Sequence, residues 1–232
     1  MPSTLISHNQ FDSIPETITA FRNGEFIVVM DDPGRENEGD LIIAGDNITT
    51  EQMAFMVRHT SGLICAPITP ALTESLKLPQ MVENSEDPRG TAYTLSVDSA
   101  DPSVTTGISA HDRALTIRQL ANPDSTAASF RRPGHVFPLR ARPGGVRARR
   151  GHTEAGVDFC RLAGKREVAA ICEIVEDGDE VAGEAVRGNP GMMRGEGCIA
   201  FARRWGLKVC TIEDLVNYLE KTEGKIDANG SS

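Results

Sequence analysis

Apolar positions in this chain fall into short blocks separated by polar turns, and the spacing within each block assigns an element. Phe26-Ile27-Val28-Val29-Met30 and Leu41-Ile42-Ile43-Ala44 are continuous apolar runs too short for helices, so they predict strands over 25–30 and 40–44. Between them, Asp31-Asp32-Pro33-Gly34 reads as a turn. Further strands are predicted over 63–68, with Pro67 near an end or edge, and over 93–97, 136–139, 168–175 and 208–210. Helices are predicted over 14–23, 51–58 capped by Thr50, 69–76, and 110–121 capped by Ser109 and stopped by Asn122-Pro123. Three more complete the set: one opening after Arg149-Arg150-Gly151 and running to 163, one over 192–205, and one capped by Thr211 and running to about Lys221. Residues 79–90 and 98–107 read as surface loops. Strands and helices intermix without strict βαβ order, and no repeat or long linker divides the chain. This predicts an α+β fold, a single domain with a mixed β-sheet surrounded by helices. Its expected bounds are a flexible arm over 1–11, a catalytic domain over 12–221 and a disordered tail over 222–232.

Composition narrows the function classes. The longest apolar run falls well short of the roughly 20 residues that span a bilayer, so no membrane association is expected. The N-terminus lacks the pattern of a secretory signal. The five cysteines, 65, 160, 172, 198 and 210, form no CxxC pair, which predicts reduced thiols and a cytoplasmic location. A net charge of −9 argues against general nucleic-acid binding. The local exception is 131–150, which carries seven arginines and His135.

Four places could carry chemistry. Residues 31–40 hold five carboxylates and one arginine. If 36–40 is extended, Glu36, Glu38 and Asp40 share one face, which suits a divalent cation with a spare carboxylate as base. A solvated acidic loop at a strand end explains the same residues equally well. At Arg149-Arg150-Gly151-His152-Thr153, a glycine opening a helix, a hydroxyl and two guanidinium groups suit a phosphate, and His152 could face a metal. The plainer account makes Thr153 an N-cap and His152 a surface residue. Glu173 interrupts an apolar run; burial would raise its pKa and suit it to proton transfer, whereas the solvent face of an edge strand would leave it inert. Cys65 reads as a core residue rather than a nucleophile, and His135 as a neutral imidazole among arginines. The arginine-rich segment also suits a nucleic-acid patch, although few aromatics interleave it.

Taken together, the motifs resemble the 3,4-dihydroxy-2-butanone 4-phosphate synthase family of riboflavin biosynthesis. They are Asp31-Asp32 with Arg35-Glu36-Asn37-Glu38-Gly39-Asp40-Leu41, Ser61-Gly62-Leu63-Ile64-Cys65, Thr105-Thr106-Gly107-Ile108-Ser109-Ala110 with Asp112-Arg113, Arg132-Pro133-Gly134-His135-Val136-Phe137-Pro138, Arg149 to Ala155, and Glu173. They occur in the expected order over about 12–220. The resemblance implies a cytoplasmic, homodimeric lyase with active sites near the subunit interface. It would convert D-ribulose 5-phosphate to L-3,4-dihydroxy-2-butanone 4-phosphate and formate through a Mg²⁺-stabilised enediolate and a skeletal rearrangement. Mg²⁺, or Mn²⁺ in its place, is implied, with no organic cofactor. By motif position, Glu36 and His152 are the metal ligands and Arg35 and Asp40 contact sugar hydroxyls. Arg149, Gly151 and Thr153 hold the phosphate, and Arg150 is a further substrate contact. Glu173 is the acid/base with His135 as its partner, Glu38 and Asp98 are further carboxylates, and Cys65 lines the pocket. Some family members continue into a GTP cyclohydrolase II domain with a zinc-binding cysteine cluster. This chain lacks that cluster, so a monofunctional enzyme is expected. The alternatives are a catalytically silent sugar-phosphate-binding module and an arginine-patch nucleic-acid binder.

Overall fold

Every residue of Ile27–Met30 (β1) and of Gly39–Ala44 (β2) is buried, so both strands are covered on both faces and read as unbroken apolar runs. The computed structural model describes residues 10–226. The sequence expectations for residues 1–9 and 227–232 lie outside them. Around β1 and β2 run α1 (Ile14–Arg22), α2 (Thr50–His59), β3 (Cys65–Ile68), α3 (Pro70–Ser75), β4 (Val97–Ser99), α4 (Ala110–Ala121) and β5 (Phe130–Arg140). Next come α5 (His152–Leu162), β6 (Ala169–Glu173), the short strands β7 (Val175–Glu176), β8 (Asp179–Glu180), β9 (Arg187–Gly188) and β10 (Gly191–Met192), then α6 (Glu196–Trp205), β11 (Lys208–Thr211) and α7 (Ile212–Glu223).

Seven strands form one mixed sheet in the order β11-β1-β2-β6-β3-β5-β4, with β1–β11 and β3–β5 parallel and the other pairs antiparallel. The period-two alternation of strands splits the core in two. Val28, Met30, Leu41, Ile43 and Cys172 pack with α2, α4 and α6 on one face. Ile27, Val29, Ile42, Ala169 and Ile171 pack with α1, α5 and α7 on the other. Two further two-stranded sheets, β7–β10 and β8–β9, stand apart from the seven-stranded one; the α+β class, the mixed main sheet and the surrounding helices match the sequence expectation.

Several boundaries differ, each for a local reason. Thr49, not Thr50, caps α2, because its hydroxyl reaches the N–H of Gln52 while Gln52 reaches back to Thr49. The strand expected over 93–97 lies at Val97–Ser99, with Tyr93 and Thr94 making only isolated bridges. β5 begins at Phe130 rather than 136, because Pro133 and Gly134 sit where its register against β4 shifts, a bulge that tolerates both residues. Pro67 lies inside β3, an interior strand, beyond the Cys65–Ile171 pair that joins β3 to β6. α6 begins at Glu196 rather than 192, the residues before it being held in β10. α7 runs to Glu223.

A close helix–sheet approach positions the amino end of α5. This helix lies against the sheet at Gly156, where a methyl group would stand 3.1 Å from Ala169 Cβ and 3.2 Å from Pro67 Cγ. The approach brings the start of α5 to β1, so that His152 Nε2 lies 3.1 Å from the carbonyl oxygen of Val29.

Candidate active site

Register alone gathers the first residues of the site. Asp40, the second residue of β2, pairs with Glu173, the last residue of β6, while Cys65 at the start of β3 pairs with Ile171. Asp40, Glu173 and Cys65, with Arg35, Glu36, Arg149, His152 and Thr153, line one cavity of ≈ 170 Å³.

The acidic turn leading into β2 is curled, not extended. Buried Asp31 accepts hydrogen bonds from Arg35 Nη1 (2.8 Å) and from the backbone N–H groups of Glu36 (3.1 Å) and Glu38 (2.9 Å). Asn37 takes a left-handed φ of 56°. The curl separates the carboxylates: Glu36 and Asp40 line the cavity, while Glu38 turns to Arg194 at 3.0 Å. The single face expected for Glu36, Glu38 and Asp40 is therefore not formed. Glu36 is held between Arg35 and Arg89, with its Oε1 3.3 Å from Arg89 Nε.

Burial sets the protonation of the central pair. Asp40 is pushed well above the usual carboxylate range, first by burial and then by the charges of Glu173, Glu36, Asp31 and Glu38. Burial, aided by the Arg35 and Arg149 charges and opposed by Asp31, pushes His152 down to about 4. The imidazole is therefore neutral at pH 7. With Nε2 donating to the Val29 carbonyl, Nδ1 is left as a lone pair 3.3 Å from Asp40 Oδ1, and that oxygen is buried without a hydrogen-bond partner. Two acceptors facing each other at this distance repel unless a proton or a cation lies between them. The proton that Asp40 retains satisfies this contact, and an octahedral Mg²⁺, whose adjacent ligands stand about 3 Å apart, would fit the same spacing. Glu36 on the same cavity supplies a further oxygen. Among the described residues no group of three or more His, Cys, Asp or Glu side chains is placed to hold a metal ion by itself, so a cation here would take most of its ligands from water or substrate oxygens. Burial, then the nearby Glu173 charge, pushes the Cys65 thiol well up, so it stays protonated.

The opposite wall is built for an anion. Gly151, not Thr153, is the N-cap of α5, and no side chain closes that end. A methyl group on Gly151 would stand 2.2 Å from Arg149 Nη1, so any larger residue there would push this guanidinium from its place. Arg149 is oriented by Glu154 Oε2 at 2.6 Å and Thr91 Oγ1 at 3.1 Å. An open helix N-terminus, the Thr153 hydroxyl and this guanidinium together suit a phosphate.

With this geometry stands a family model described as 3,4-dihydroxy-2-butanone 4-phosphate synthase, which matches residues 15–218. The chain belongs to this family. A relative of that name from Pyricularia oryzae is 70% identical over 232 residues, covering 100% of both chains. Another from Schizosaccharomyces pombe is 54% identical over 209 residues, 90% of this chain and 97% of its own. A solved 3,4-dihydroxy-2-butanone 4-phosphate synthase in complex with two magnesium ions is 72% identical, with a TM-score of 0.92 over 93% of this chain and 100% of its own. A cation-free form of a synthase of that name matches at 70% identity and a TM-score of 0.88, covering 92% of this chain and 100% of that one.

Not every residue transferred from the family motifs reaches the cavity. Arg150 points outward and pairs with Glu213. Glu38 is engaged by Arg194 instead. His135 and Asp98 lie outside the lining and form their own pair, with the His135 N–H 2.8 Å from Asp98 Oδ1 and Nδ1 2.9 Å from Oδ2. Glu173 stands at the end of β6, half-buried, not in mid-strand; of the carboxyls lining the cavity, the buried one is Asp40. Conversely, Asp87 and Arg89 line the cavity although 79–90 reads as a plain surface loop, and so do Thr91 and Tyr93 just beyond it, for which no site role is expected. Asp87-Pro88-Arg89-Gly90 signals a turn and nothing more; only the folded chain brings Arg89 to Glu36. Asp31 and Glu154, which orient Arg35 and Arg149, belong to recognised motifs but carry no separate signal as supports. Three of the seven arginines in the arginine-rich segment are spent inside the protein: Arg132 on the carbonyls of Ala127, Phe130 and Leu76, Arg147 on Glu223, and Arg149 on Glu154, while Arg131, Arg140, Arg142 and Arg150 are exposed. That use leaves fewer arginines for a nucleic-acid patch. Among the described residues no helix is long and apolar enough to cross a membrane.

Proposed function

We propose that this chain is a cytoplasmic carbon–carbon lyase of riboflavin biosynthesis, converting D-ribulose 5-phosphate to L-3,4-dihydroxy-2-butanone 4-phosphate and formate. The observation that carries this reading is convergence. Glu36, Asp40, Arg149, His152, Thr153 and Glu173, drawn from strands, a turn and a helix end, share one small cavity. Its cation-suited and anion-suited walls match a molecule with vicinal oxygens at one end and a phosphate at the other.

In this reading Arg149, Thr153 and the amino end of α5 hold the phosphate. Arg35, fixed by Asp31, and Asp40 orient the sugar hydroxyls. Glu36 and His152 Nδ1 hold the divalent ion, Mg²⁺ or Mn²⁺, with Asp40 Oδ1 beside them; no organic cofactor is needed. When bound, the ion supplies positive charge where the reacting oxygens become negative. Glu173 takes the proton beside the ketone and returns one later, which its place on the cavity wall allows. The thiol of Cys65, kept neutral, packs against the reacting carbons without competing as a nucleophile.

His135 and Asp98 find their use in a homodimer. They stand on β5 and β4, at one edge of the sheet, outside the cavity of their own chain. A two-fold assembly lets this pair enter the cavity of the other protomer. The test is direct: purified protein incubated with D-ribulose 5-phosphate and Mg²⁺ releases formate, and EDTA stops it. A protein that binds the sugar phosphate and yields no formate with Mg²⁺ present would be the silent module instead.

A further inference from the structure

A second cavity, of ≈ 260 Å³, lies away from the candidate active site, where the carboxyl ends of α2 and α6 meet β7. By the same measure it is larger than the ≈ 170 Å³ proposed for a five-carbon sugar phosphate. Three of its nine lining residues, His59, Phe201 and Trp205, carry rings. His59 lies 5.2 Å from Trp205 and 5.7 Å from Phe201, centroid to centroid, and Phe55 supports Trp205 edge-on at 5.0 Å. Trp205 is nonetheless 41% exposed, the one aromatic among the large apolar side chains left at the surface of the described residues. Arg204 lies over the Trp205 ring at 5.2 Å, and Arg58 stands on the same rim. Among the described residues neither guanidinium has a carboxylate partner. Of the two acids on the rim, Asp177 is spent on Arg187 at 3.0 Å, and only Glu176 is free.

Basic residues in the last turns of α2 and α6 complement the helix dipoles, which accounts for their presence. It does not account for a ring-walled cavity beneath them. Burial, then the charges of Arg58 and Arg204, push His59 down, so it offers the cavity a neutral ring and not a third cation. Aromatic walls below two unpaired guanidinium groups suit a flat ring bearing negative charge.

We propose that this cavity is a second small-molecule site, taking a planar aromatic ring that carries a carboxylate or phosphate. The ring packs against Trp205, His59 and Phe201, and the anion reaches Arg58 and Arg204. The walls run straight into the first site. Arg58-His59 continues to Thr60-Ser61, Val175 comes directly after Glu173-Ile174, and Thr60 and Ile174 are bridged. An occupant therefore rests on the two segments whose ends meet where Ser61 bonds to Glu173.

Trp205 is the only tryptophan of the chain, so its emission reports this cavity alone. The full-length protein is titrated with nicotinate, with nicotinamide as the uncharged ring and with inorganic phosphate as the anion without a ring. Nicotinate is expected to change Trp205 emission saturably, nicotinamide to bind about tenfold more weakly, and phosphate to leave the emission unchanged. Arg58→Gln weakens nicotinate by about tenfold, and Glu176→Gln, which removes the free rim carboxylate, tightens it. Non-saturating quenching that is the same for both ring compounds overturns the proposal. So does nicotinate affinity that is unchanged by Arg58→Gln, or that fails to rise in Glu176→Gln with its melting temperature intact. The gain of binding in the last variant is a result that partial unfolding does not produce.

Discussion

Ser61 Oγ donates to Glu173 Oε2 across 2.9 Å, and the Ser61 N–H donates to the carbonyl of the same glutamate, also at 2.9 Å. The loop that carries Ser61 is itself pinned. Arg113 Nη1 reaches the carbonyl of Gly62 at 3.0 Å from a buried guanidinium whose Nε has no partner. If Glu173 moves the proton, Ser61 fixes which of its oxygens faces the cavity. Glu173→Gln is expected to lower turnover by about two to four orders of magnitude with binding retained. Ser61→Ala is expected to lower kcat by about tenfold with KM little changed, the scale of one hydrogen bond to a charged group. The double variant is expected to be no worse than Glu173→Gln alone. Formate release measures all three. Losses that multiply in the double variant would show that Ser61 acts elsewhere.

A second expectation concerns acid. His152 titrates at about 4 in the folded chain because burial disfavours its cation, against an ordinary value of 6.5. Between these values the unfolded chain binds the proton and the folded chain does not, so this residue makes stability fall as pH drops from 6.5 towards 4. Asp40, raised by burial, has the opposite sign above its ordinary value of 3.8, since there the folded chain holds the extra proton. Replacing His152 removes only the first contribution. Thermal melts of His152→Gln should show a shallower fall over that window than the parent. An identical slope would mean that the imidazole is not held neutral.

How far the sequence could be read depended on whether a feature is local. α4 begins after Ser109 and ends at Asn122-Pro123 as its caps dictate, because a cap is chemistry within four residues. β1, β2 and β6 were legible from apolar runs, and with them the approximate places of Asp40 and Glu173. The curl of residues 31–38 was not, because it depends on one carboxylate, Asp31, satisfying two backbone N–H groups instead of facing a cation. Arg89 and Thr91 were missed because their partners, Glu36 and Arg149, lie far away in the chain. Adjacent arginines 149 and 150 look interchangeable in the motif; the backbone at the start of α5 sends one inward and the other out.

That divergence gives a third expectation. Arg149 faces Glu154, whose carboxylate is 1% exposed, so Arg149→Met leaves a buried charge uncompensated. The variant should lose about 3–5 kcal/mol of stability and bind the sugar phosphate at least about tenfold more weakly. Arg150 pairs with Glu213 at the surface, both side chains being at least half exposed. Arg150→Met should change stability by less than about 1 kcal/mol and leave KM nearly unchanged. Denaturant melts and steady-state kinetics on the two variants decide it. A large KM effect at Arg150 would mean that the side chain swings inward when substrate binds.

The last expectation comes from the stranded pair on β4 and β5. His135→Ala and Glu173→Gln should each lower formate release by about two orders of magnitude or more when prepared alone. If His135 serves the cavity of the partner subunit, a mixed dimer of the two variants holds one intact cavity, built from the Glu173 of one chain and the His135 of the other. Random reassortment makes half of the dimers mixed, each with one working site in two, so coexpression should restore roughly a quarter of the parent turnover. If His135 instead serves its own chain, every cavity in the mixture lacks one residue or the other and nothing is restored. Where size-exclusion chromatography finds dimers in the mixture, a failure to complement assigns His135 to its own subunit.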